Sequence, residues 1–314
     1  MVRSRRHSRT AGGAGTPLLV ALALVLGCPR WGDPDPLPHG QGDDDTGDDD
    51  DDTGDDDDTG DDDTGDDDDT GDDDSADDDT GDDDTVEVWA LDVEVVDAEY
   101  DRYGDRLVVV SSSPPALHVI EPAGPTIDSV TLSSAPTCVS IEAAGGRAIA
   151  GHDGSLSLVD LSALEVVQEY DISCAAFDLV AGGNDWAYVF PAAGEWEDIH
   201  CVQLTTGLEF PHIGSFIYEQ TAARLSPNGY AVYGADNGLT PSNIEKYLID
   251  LGPAEYWTDS PYEGEYAMDG DLWIADDGGR IFVRAGNVFR AADDPAADMT
   301  YEAALASVPP PLAW

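Results

Sequence analysis

The side chains that carry chemistry after residue 85 do not form a recognised catalytic pattern. The four histidines of this region share no HxxxH or similar metal-ligand spacing; they are His118, His152, His200 and His212. The segment His152-Asp153-Gly154-Ser155 contains the residue types of a catalytic triad. However, a tight hairpin cannot align a base with a nucleophile. Since no GxSxG elbow occurs either, we predict no catalytic residues.

Four aspartates near the end of the chain could together hold a cation: Asp269, Asp271, Asp276 and Asp277. The apolar residues 272–274 between the two pairs have the character of a strand, which would separate the pairs. We therefore interpret these carboxylates as solvated turn residues and predict neither a metal site nor a bound cofactor.

Two enlarged turns, at 191–200 and 234–243, form the candidate binding face. Functional residues concentrate in enlarged loops on rigid scaffolds. The candidate residues are Trp196, Glu197, Asp198, His200, Asn237 and Thr240. An exposed Trp196 among acidic neighbours would suit a cationic or sugar-like partner. Alternatively, Trp196 folds back onto its own part of the sheet.

The four cysteines, Cys28, Cys138, Cys174 and Cys201, include no CxxC pair, so nothing indicates a zinc site or a thioredoxin-type motif. Cys138 and Cys174 occupy similar places near the starts of neighbouring repeat units. In an oxidising compartment they would form a disulfide, or they remain two buried thiols. Both alternatives stay open, and Cys201 is left without a partner.

The N-terminus has the pattern of an export signal. A basic segment precedes the apolar residues 17–27, which are too few to span a bilayer. The residues Val25-Leu26-Gly27-Cys28 resemble the lipobox of bacterial lipoproteins, with Val25 and Leu26 departing from the commonest choices. The resemblance implies removal of residues 1–27 and lipidation of Cys28. An ordinary cleaved signal peptide is the alternative.

Residues 28–85 form the predicted tether. After a Pro/Gly-rich start, units of three to five aspartates followed by Thr-Gly repeat, giving 28 aspartates between Asp43 and Asp84. Because the aspartate repeats have no large apolar side chain to bury and their like charges repel, we predict disorder and extension. The spacing does not match a calcium loop. The run resembles the aspartate-threonine-glycine tethers of some Gram-negative lipoproteins, which implies an outer-membrane or cell-surface location.

Charge restricts the partners of the remaining residues, 86–314. This region carries 37 acidic and eight basic residues, within a chain of net charge −54. Such a surface repels nucleic-acid phosphates and anionic lipid headgroups. We therefore expect a neutral or cationic protein or carbohydrate partner, with membrane attachment only through the lipid on Cys28.

A glycine turn recurs before a strand in this region, with spacings of 42, 37, 46 and 41 residues; it falls at Gly104, Gly146, Gly183, Gly229 and Gly270. About four short strands fit into each unit, which is typical of β-propeller blades, whereas a β-sandwich would lack this period. Segments such as HDGSLSLVDLSALEVV and RLSPNGYAVYGADNG resemble blades of the YVTN/WD40-like superfamily.

We thus predict an all-β fold of about five four-stranded blades, at roughly 95–134, 135–173, 174–215, 216–262 and 263–306. The sole candidate for a helix is the short segment 299–306. Relatives with six to eight blades are commoner, so we favour an open or truncated propeller over a closed five-bladed ring. Residues 86–93 could add an outer strand to the last blade.

The predicted function is ligand or protein binding by an exported, lipid-anchored propeller. Two alternatives remain. The first is a propeller enzyme, hydrolase or quinoprotein-like, with a metal or cofactor in its channel. It would require several of His118, His152, Glu142, Asp178 and Glu265 to converge. The second is a structural spacer without a ligand.

Overall fold

The computed structural model describes residues 91–122, 126–250 and 252–305. The predicted signal peptide, Cys28 and the tether lie outside these ranges. The described residues form strands, turns and loops only, which confirms the predicted all-β fold. None of their segments is a helix of the length and apolarity needed to traverse a bilayer.

Five blades of four antiparallel strands follow one another along the chain. Blade 1 consists of β1 (Val95–Asp101), β2 (Arg106–Ser112), β3 (Pro115–Glu121) and β4 (Thr126–Thr131). Blades 2 and 3 use β5 (Pro136–Ile141), β6 (Arg147–Asp160), β7 (Glu165–Ala181), β8 (Trp186–Pro191), β10 (His200–Gln203) and β11 (Leu208–Pro211). The short β9 (Trp196–Glu197) lies between β8 and β10 and is not part of a blade.

The short β12 (Ile217–Tyr218) precedes blade 4, which consists of β13 (Ala222–Leu225), β14 (Ala231–Ala235), β15 (Ile244–Leu248) and β16 (Glu255–Asp259). Blade 5 consists of β17 (Leu272–Ile274), β18 (Arg280–Val283), β19 (Asn287–Arg290) and β20 (Tyr301–Ala304).

Two long strands each serve twice. In β6 the chain reverses at Gly154, whose φ of 83° favours glycine, and the Leu161 amide donates to the Gly146 carbonyl at 2.9 Å. The two halves of β6 are therefore the middle strands of blade 2. The first part of β7 pairs with β6 as the outer strand of blade 2. Its last part pairs with β8 as the inner strand of blade 3.

The hydrophobic core is divided into four clusters, each between consecutive blades. Val110 and Val139 belong to the cluster between blades 1 and 2, and Ile149 and Val189 to the next. Tyr188 and Tyr247 pack between blades 3 and 4, and Tyr233 and Phe289 between blades 4 and 5. Burial of these faces supplies the main driving force for stacking the blades.

Blades 5 and 1 meet differently. Within the described residues no buried cluster lies between them, and their junction carries the exposed ion pair of Arg102 Nη2 with Asp276 Oδ1 at 2.6 Å. The two blades are thus neighbours without a packed core between them. The preference for an open or truncated propeller stays a prediction.

Two local expectations need correction. The predicted helix at 299–306 is wrong, because Tyr301–Ala304 is the outer strand β20. Pairing with β19 and stacking of the Tyr301 ring on Tyr266, with centroids 3.9 Å apart, outweigh the helix-forming composition. The second expectation is the added outer strand at 86–93. Blade 5 takes all four of its described strands from the C-terminal part of the chain, and residues 91–93 are not in a strand, while residues 86–90 lie outside the described ranges.

A candidate binding cavity at the propeller axis

The inner strands of all five blades, β1, β5, β7, β13 and β17, line one central cavity of about 400 Å³. It extends to the face formed by the turns between the first and second strand of each blade, here called the first-turn face. Arg102, Tyr103, Ala143 and Pro227 lie in these turns and line the cavity.

Arg224 on β13 occupies the centre of the charged groups. Its Nη1 lies 3.0 Å from Asp178 Oδ2 of β7, and its Nη2 lies 2.8 Å from Asp271 Oδ2 just before β17. Burial opposes the charge of Arg224, but these carboxylates, with Glu99 and Asp97, raise its pKa above the ordinary value. Arg224 therefore stays a guanidinium, paired with both Asp178 and Asp271.

Asp97 and Glu99 on β1 project toward the same cavity, two residues apart and hence on one face of the strand. No basic side chain in the described ranges forms an ion pair with either. Burial, assisted by the charge of Asp178, raises the pKa of Asp97 to about 6. Burial likewise raises the pKa of Glu99 to about 7, against the attraction of Arg224. Both carboxyl groups thus titrate near neutral pH.

The same carboxylates connect the blades. The Val139 amide donates to Asp97 Oδ2 at 2.8 Å and the Ile141 amide to Glu99 Oε2 at 2.7 Å, both from β1 to β5. The Ala223 amide donates to Asp178 Oδ2 at 2.8 Å, which joins β7 to β13. These hydrogen bonds satisfy inner-strand amides and hold the carboxylates in fixed orientations.

Aromatic side chains border the charged interior. Trp273 on β17 is 50% exposed and Tyr103 is 72% exposed, and both line the cavity, as does Tyr100. The Tyr100 hydroxyl donates to Asp105 Oδ1 at 2.5 Å. Exposed rings beside carboxylates provide flat apolar faces and negative charge within one concave space.

The predicted binding face lies on the opposite side. Turns between the second and third strands, and the connections between blades, lie at the other ends of the inner strands. Trp196 and Glu197 form β9, which pairs with Tyr218 and Ile217 of β12. Trp196 is 54% exposed and meets the Tyr218 ring edge-on, with centroids 5.3 Å apart. Trp196 is therefore both exposed and packed on its neighbouring strand.

Asp198 and His200 have local partners. His200 Nδ1 bonds to Glu209 Oε1, and Ser173 Oγ donates to that same oxygen at 2.6 Å. Burial acts to raise the pKa of Glu209, but the hydrogen bonds from Ser173 and His200 outweigh it and lower that pKa. Asp198 Oδ1 lies 3.1 Å from Nδ1 of the buried His212. Ser173 and Glu209 meet the same ring nitrogen, so the group lacks the relay order of a catalytic triad.

Asn237 has a structural position. Its Nδ2 donates to the Gln220 carbonyl at 2.9 Å, and its Oδ1 accepts from the Gly270 amide at 2.5 Å. Thr240 is exposed. The two enlarged loops meet at Tyr218, since its ring contacts both Trp196 and Gly238. Neither loop lines the central cavity.

The three described cysteines, Cys138, Cys174 and Cys201, are free thiols. Cys138 and Cys174 contact the same hydrophobic cluster between blades 2 and 3. Burial raises the pKa of Cys174 and of Cys201 to about 12 and raises that of Cys138 well above its usual range. All three thiols are therefore protonated and weakly nucleophilic at neutral pH.

The residues that an enzyme site would need are dispersed. His118 lies between Ser111 and Ser129, and His152 bonds to Ala135 and Ser157. Glu142 pairs with Arg147, and Asp178 with Arg224. Of the proposed cation ligands, Asp271 pairs with Arg224 and Asp276 with Arg102. Over the ranges that the structure covers, no three His, Cys, Asp or Glu side chains converge as metal ligands.

Sequence reasoning missed Asp97, Glu99 and Arg224 as site residues. A signal was present in the alternation Asp97-Ala98-Glu99, which places two carboxylates on one face of a strand. That Arg224, more than 120 positions later, lies beside them follows only from the ring arrangement of the blades.

Comparison with known proteins supports the fold but does not indicate an activity or a ligand. No protein-family model and no curated protein matches the chain. A functionally unknown protein from Desulfotomaculum acetoxidans is similar at TM-score 0.56 and 16% identity, over 70% of this chain and 72% of that one. The β-propeller domain of Myceliophteria thermophila Cps50 (Swd1) is similar at TM-score 0.53 and 14% identity, over 68% and 72%.

Kuenenia stuttgartiensis hydrazine synthase is also similar, at TM-score 0.52 and 13% identity, over 66% of this chain and 68% of that one. At such low identities the likeness concerns the backbone alone. With the five four-stranded blades, it shows that the described residues adopt a β-propeller-like fold.

Proposed function

We propose that this chain is an exported lipoprotein whose propeller binds a ligand or protein partner at the cell envelope. The basic and apolar segments before Cys28 support export and lipidation. The aspartate-rich residues 42–85 support a spacer between the membrane and the propeller, because like charges extend a chain.

The observation that carries the binding function is the central cavity. Small-molecule and side-chain sites are concave, combine apolar walls with a few fixed polar groups, and commonly exceed about 300 Å³. The cavity here has about 400 Å³, with exposed Trp273 and Tyr103 beside Asp97 and Glu99. Its polar groups come from several blades, so the assembled fold presets their geometry.

Because the cavity extends to the first-turn face, we expect the partner to contact this face and not the enlarged loops. In the enlarged loop, Trp196 already packs on Tyr218, Asp198 lies beside His212, and Glu197 belongs to the short strand β9. The rim of the cavity instead offers exposed aromatic rings with concave space behind them. A partner that inserts one group into the cavity would cover these rings.

A photo-crosslinking residue at Ala143, an exposed position lining the cavity, tests the binding function in intact cells. We expect a discrete crosslink between this residue and a partner molecule, and we expect added ligand to reduce it if the partner competes with that ligand for the cavity. Trp273→Ala should abolish it. Trp257→Ala, which removes a similarly exposed tryptophan from the outer strand β16, should leave it unchanged. Equal crosslinking in both variants would contradict binding at the cavity.

A further inference from the structure

We propose that the central cavity binds a small organic cation through a guanidinium or primary ammonium group. This inference rests on the proposed binding function and assigns the chemical class of the ligand at the same cavity. It depends on three features of the described residues: an excess of carboxylates, their fixed orientation, and the aromatic border.

The first feature is the charge balance inside the ring. Arg224 directs one terminal nitrogen at Asp178, at 3.0 Å, and the other at Asp271, at 2.8 Å. The carboxylates of Asp97 and Glu99 form no ion pair with any basic side chain that the structure describes. With all groups ionised, four carboxylates thus surround one guanidinium. Asp97 and Glu99 are half-buried carboxylates with backbone hydrogen bonds but no counter-ion, so a ligand cation would be stabilised there.

The second feature is preorganisation. The Val139 amide donates to Oδ2 of Asp97 and the Ile141 amide to Oε2 of Glu99, and the Ala98 amide donates to the other oxygen of Asp97 at 2.8 Å. These hydrogen bonds fix both carboxylates in the wall of the cavity. A cation meeting fixed carboxylates loses little free energy to side-chain ordering. Fixed acceptors also favour donors of defined geometry, such as the fork of a guanidinium.

The third feature is the aromatic border. Trp273 and Tyr103 line the cavity with exposed rings. Cations are attracted to the faces of such rings, most strongly to that of tryptophan. Arg102, the nearest basic residue of the rim, is paired with Asp276 and so contributes little repulsion. Residues 86–314 carry 37 acidic and only eight basic residues, and this net negative charge also raises the local concentration of cations.

The test compares n-butylguanidinium with its neutral analogue n-butylurea on the full mature chain. Ligand-observed NMR and calorimetry in about 0.15 M salt screen weak attraction to the aspartate tether. We expect saturable binding of butylguanidinium and at least about tenfold weaker binding of butylurea.

Variants locate the site. Glu99→Gln keeps an oxygen acceptor for the Ile141 amide and removes the charge. Asp97→Asn keeps one for the Val139 amide and also removes the charge, but it loses the hydrogen bond from the Ala98 amide. Each should weaken butylguanidinium binding at least about fivefold. The control Asp128→Asn removes an exposed carboxylate from β4 and should bind like the wild type. Trp273→Ala changes a half-exposed ring of the cavity wall and no carboxylate, so it gives a second measure should the carboxylate variants misfold.

The outcomes separate the inference from the proposed function. Equal binding of the two probes, no binding of the cation, or cation binding insensitive to Glu99→Gln and Trp273→Ala would each overturn the cation assignment. If the crosslink at Ala143 persists in those cases, the cavity binds a partner of another chemical class. If that crosslink is also absent, the proposed function fails as well.

Discussion

Lys246 of β15 and Asp298, in the turn before β20, form a buried ion pair between blades 4 and 5, with Nζ and Oδ2 2.9 Å apart. Lys246 also donates to the Ala292 carbonyl at 2.7 Å, and its Nζ lies 5.0 Å from the centre of the Tyr233 ring. Asp298 accepts from the Ala292 and Met299 amides. Both members of the pair thus have hydrogen-bond partners besides each other, which offsets part of the cost of burying the two charges.

Lys246→Met should lower the free energy of unfolding by about 3–5 kcal/mol, because it leaves the Asp298 charge buried without its cation. Urea denaturation measures the loss. The control Arg280→Met removes one cation from the partly exposed Glu302 pair and should cost less than about 1 kcal/mol. Similar losses in both variants would contradict a special role for the buried pair.

Glu99→Gln should raise stability above neutral pH. The pKa of Glu99 is raised to about 7 in the fold, so the native state holds a proton that the unfolded chain releases near its lower, ordinary pKa. Stability from this group is therefore present at acidic pH and lost as pH rises through about 7. We expect the variant to gain about 1–2 kcal/mol over wild type at pH 8 and nothing near pH 4.

Urea midpoints across this pH range decide the point. Asp128→Asn, at an exposed position, should show no such pH-dependent gain. A Glu99→Gln variant less stable than wild type at pH 8 would show that the charged carboxylate supports the fold.

Affinity for butylguanidinium should rise as the pH increases from about 5.5 to 8. Protons compete with the cation for Glu99 and Asp97, whose pKa values are about 7 and about 6. Arg224, which faces them, stays charged over this range. Calorimetry at several pH values should therefore show a steep rise in wild type and a shallower one in Glu99→Gln. A flat wild-type profile would place the cation away from these carboxylates.

Gly238→Ala should loosen the contact between the enlarged loops. A Cβ at this position would lie 2.1 Å from a ring carbon of Tyr218, so the ring must move. We expect a loss of about 1–3 kcal/mol and altered tryptophan fluorescence, because Tyr218 packs on Trp196. Gly279→Ala, where the nearest atom is 3.3 Å from the new Cβ, serves as the control.

Cys28→Ala should release the protein from membranes into the soluble envelope fraction, since the lipid is the proposed anchor. Cys174→Ala removes another cysteine without touching the anchor and should leave membrane attachment intact. Detergent-free fractionation followed by immunoblotting measures both. Retention of Cys28→Ala on membranes would contradict the lipoprotein proposal.

The fold was predictable because its signals are local and repeated. Each glycine turn precedes a strand, so a period near 42 residues could be counted without knowing any contact. The error at 299–306 arose because Glu302, Ala303 and Ala304 favour helices intrinsically, whereas pairing with β19 decides their conformation.

The central cavity was not predictable in the same way. Glu99 and Arg224 come together only when five blades surround an axis, and nothing local marks either residue as central. The enlarged loops were predicted as the binding face because the length of a loop can be read directly from a sequence. Whether a surface is concave cannot be read from a sequence. In the structure Trp196 packs against Tyr218 and does not line the central cavity.

Lys246 is the only lysine in the chain, and its ammonium group is enclosed between two blades. The folded propeller therefore offers no accessible lysine to succinimidyl esters, aldehyde fixatives or amine-reactive dyes. Conventional lysine-directed labelling would miss this protein and its complexes. Conversely, acylation of Lys246 would report opening of the interface between blades 4 and 5, which makes this residue a built-in chemical probe of unfolding.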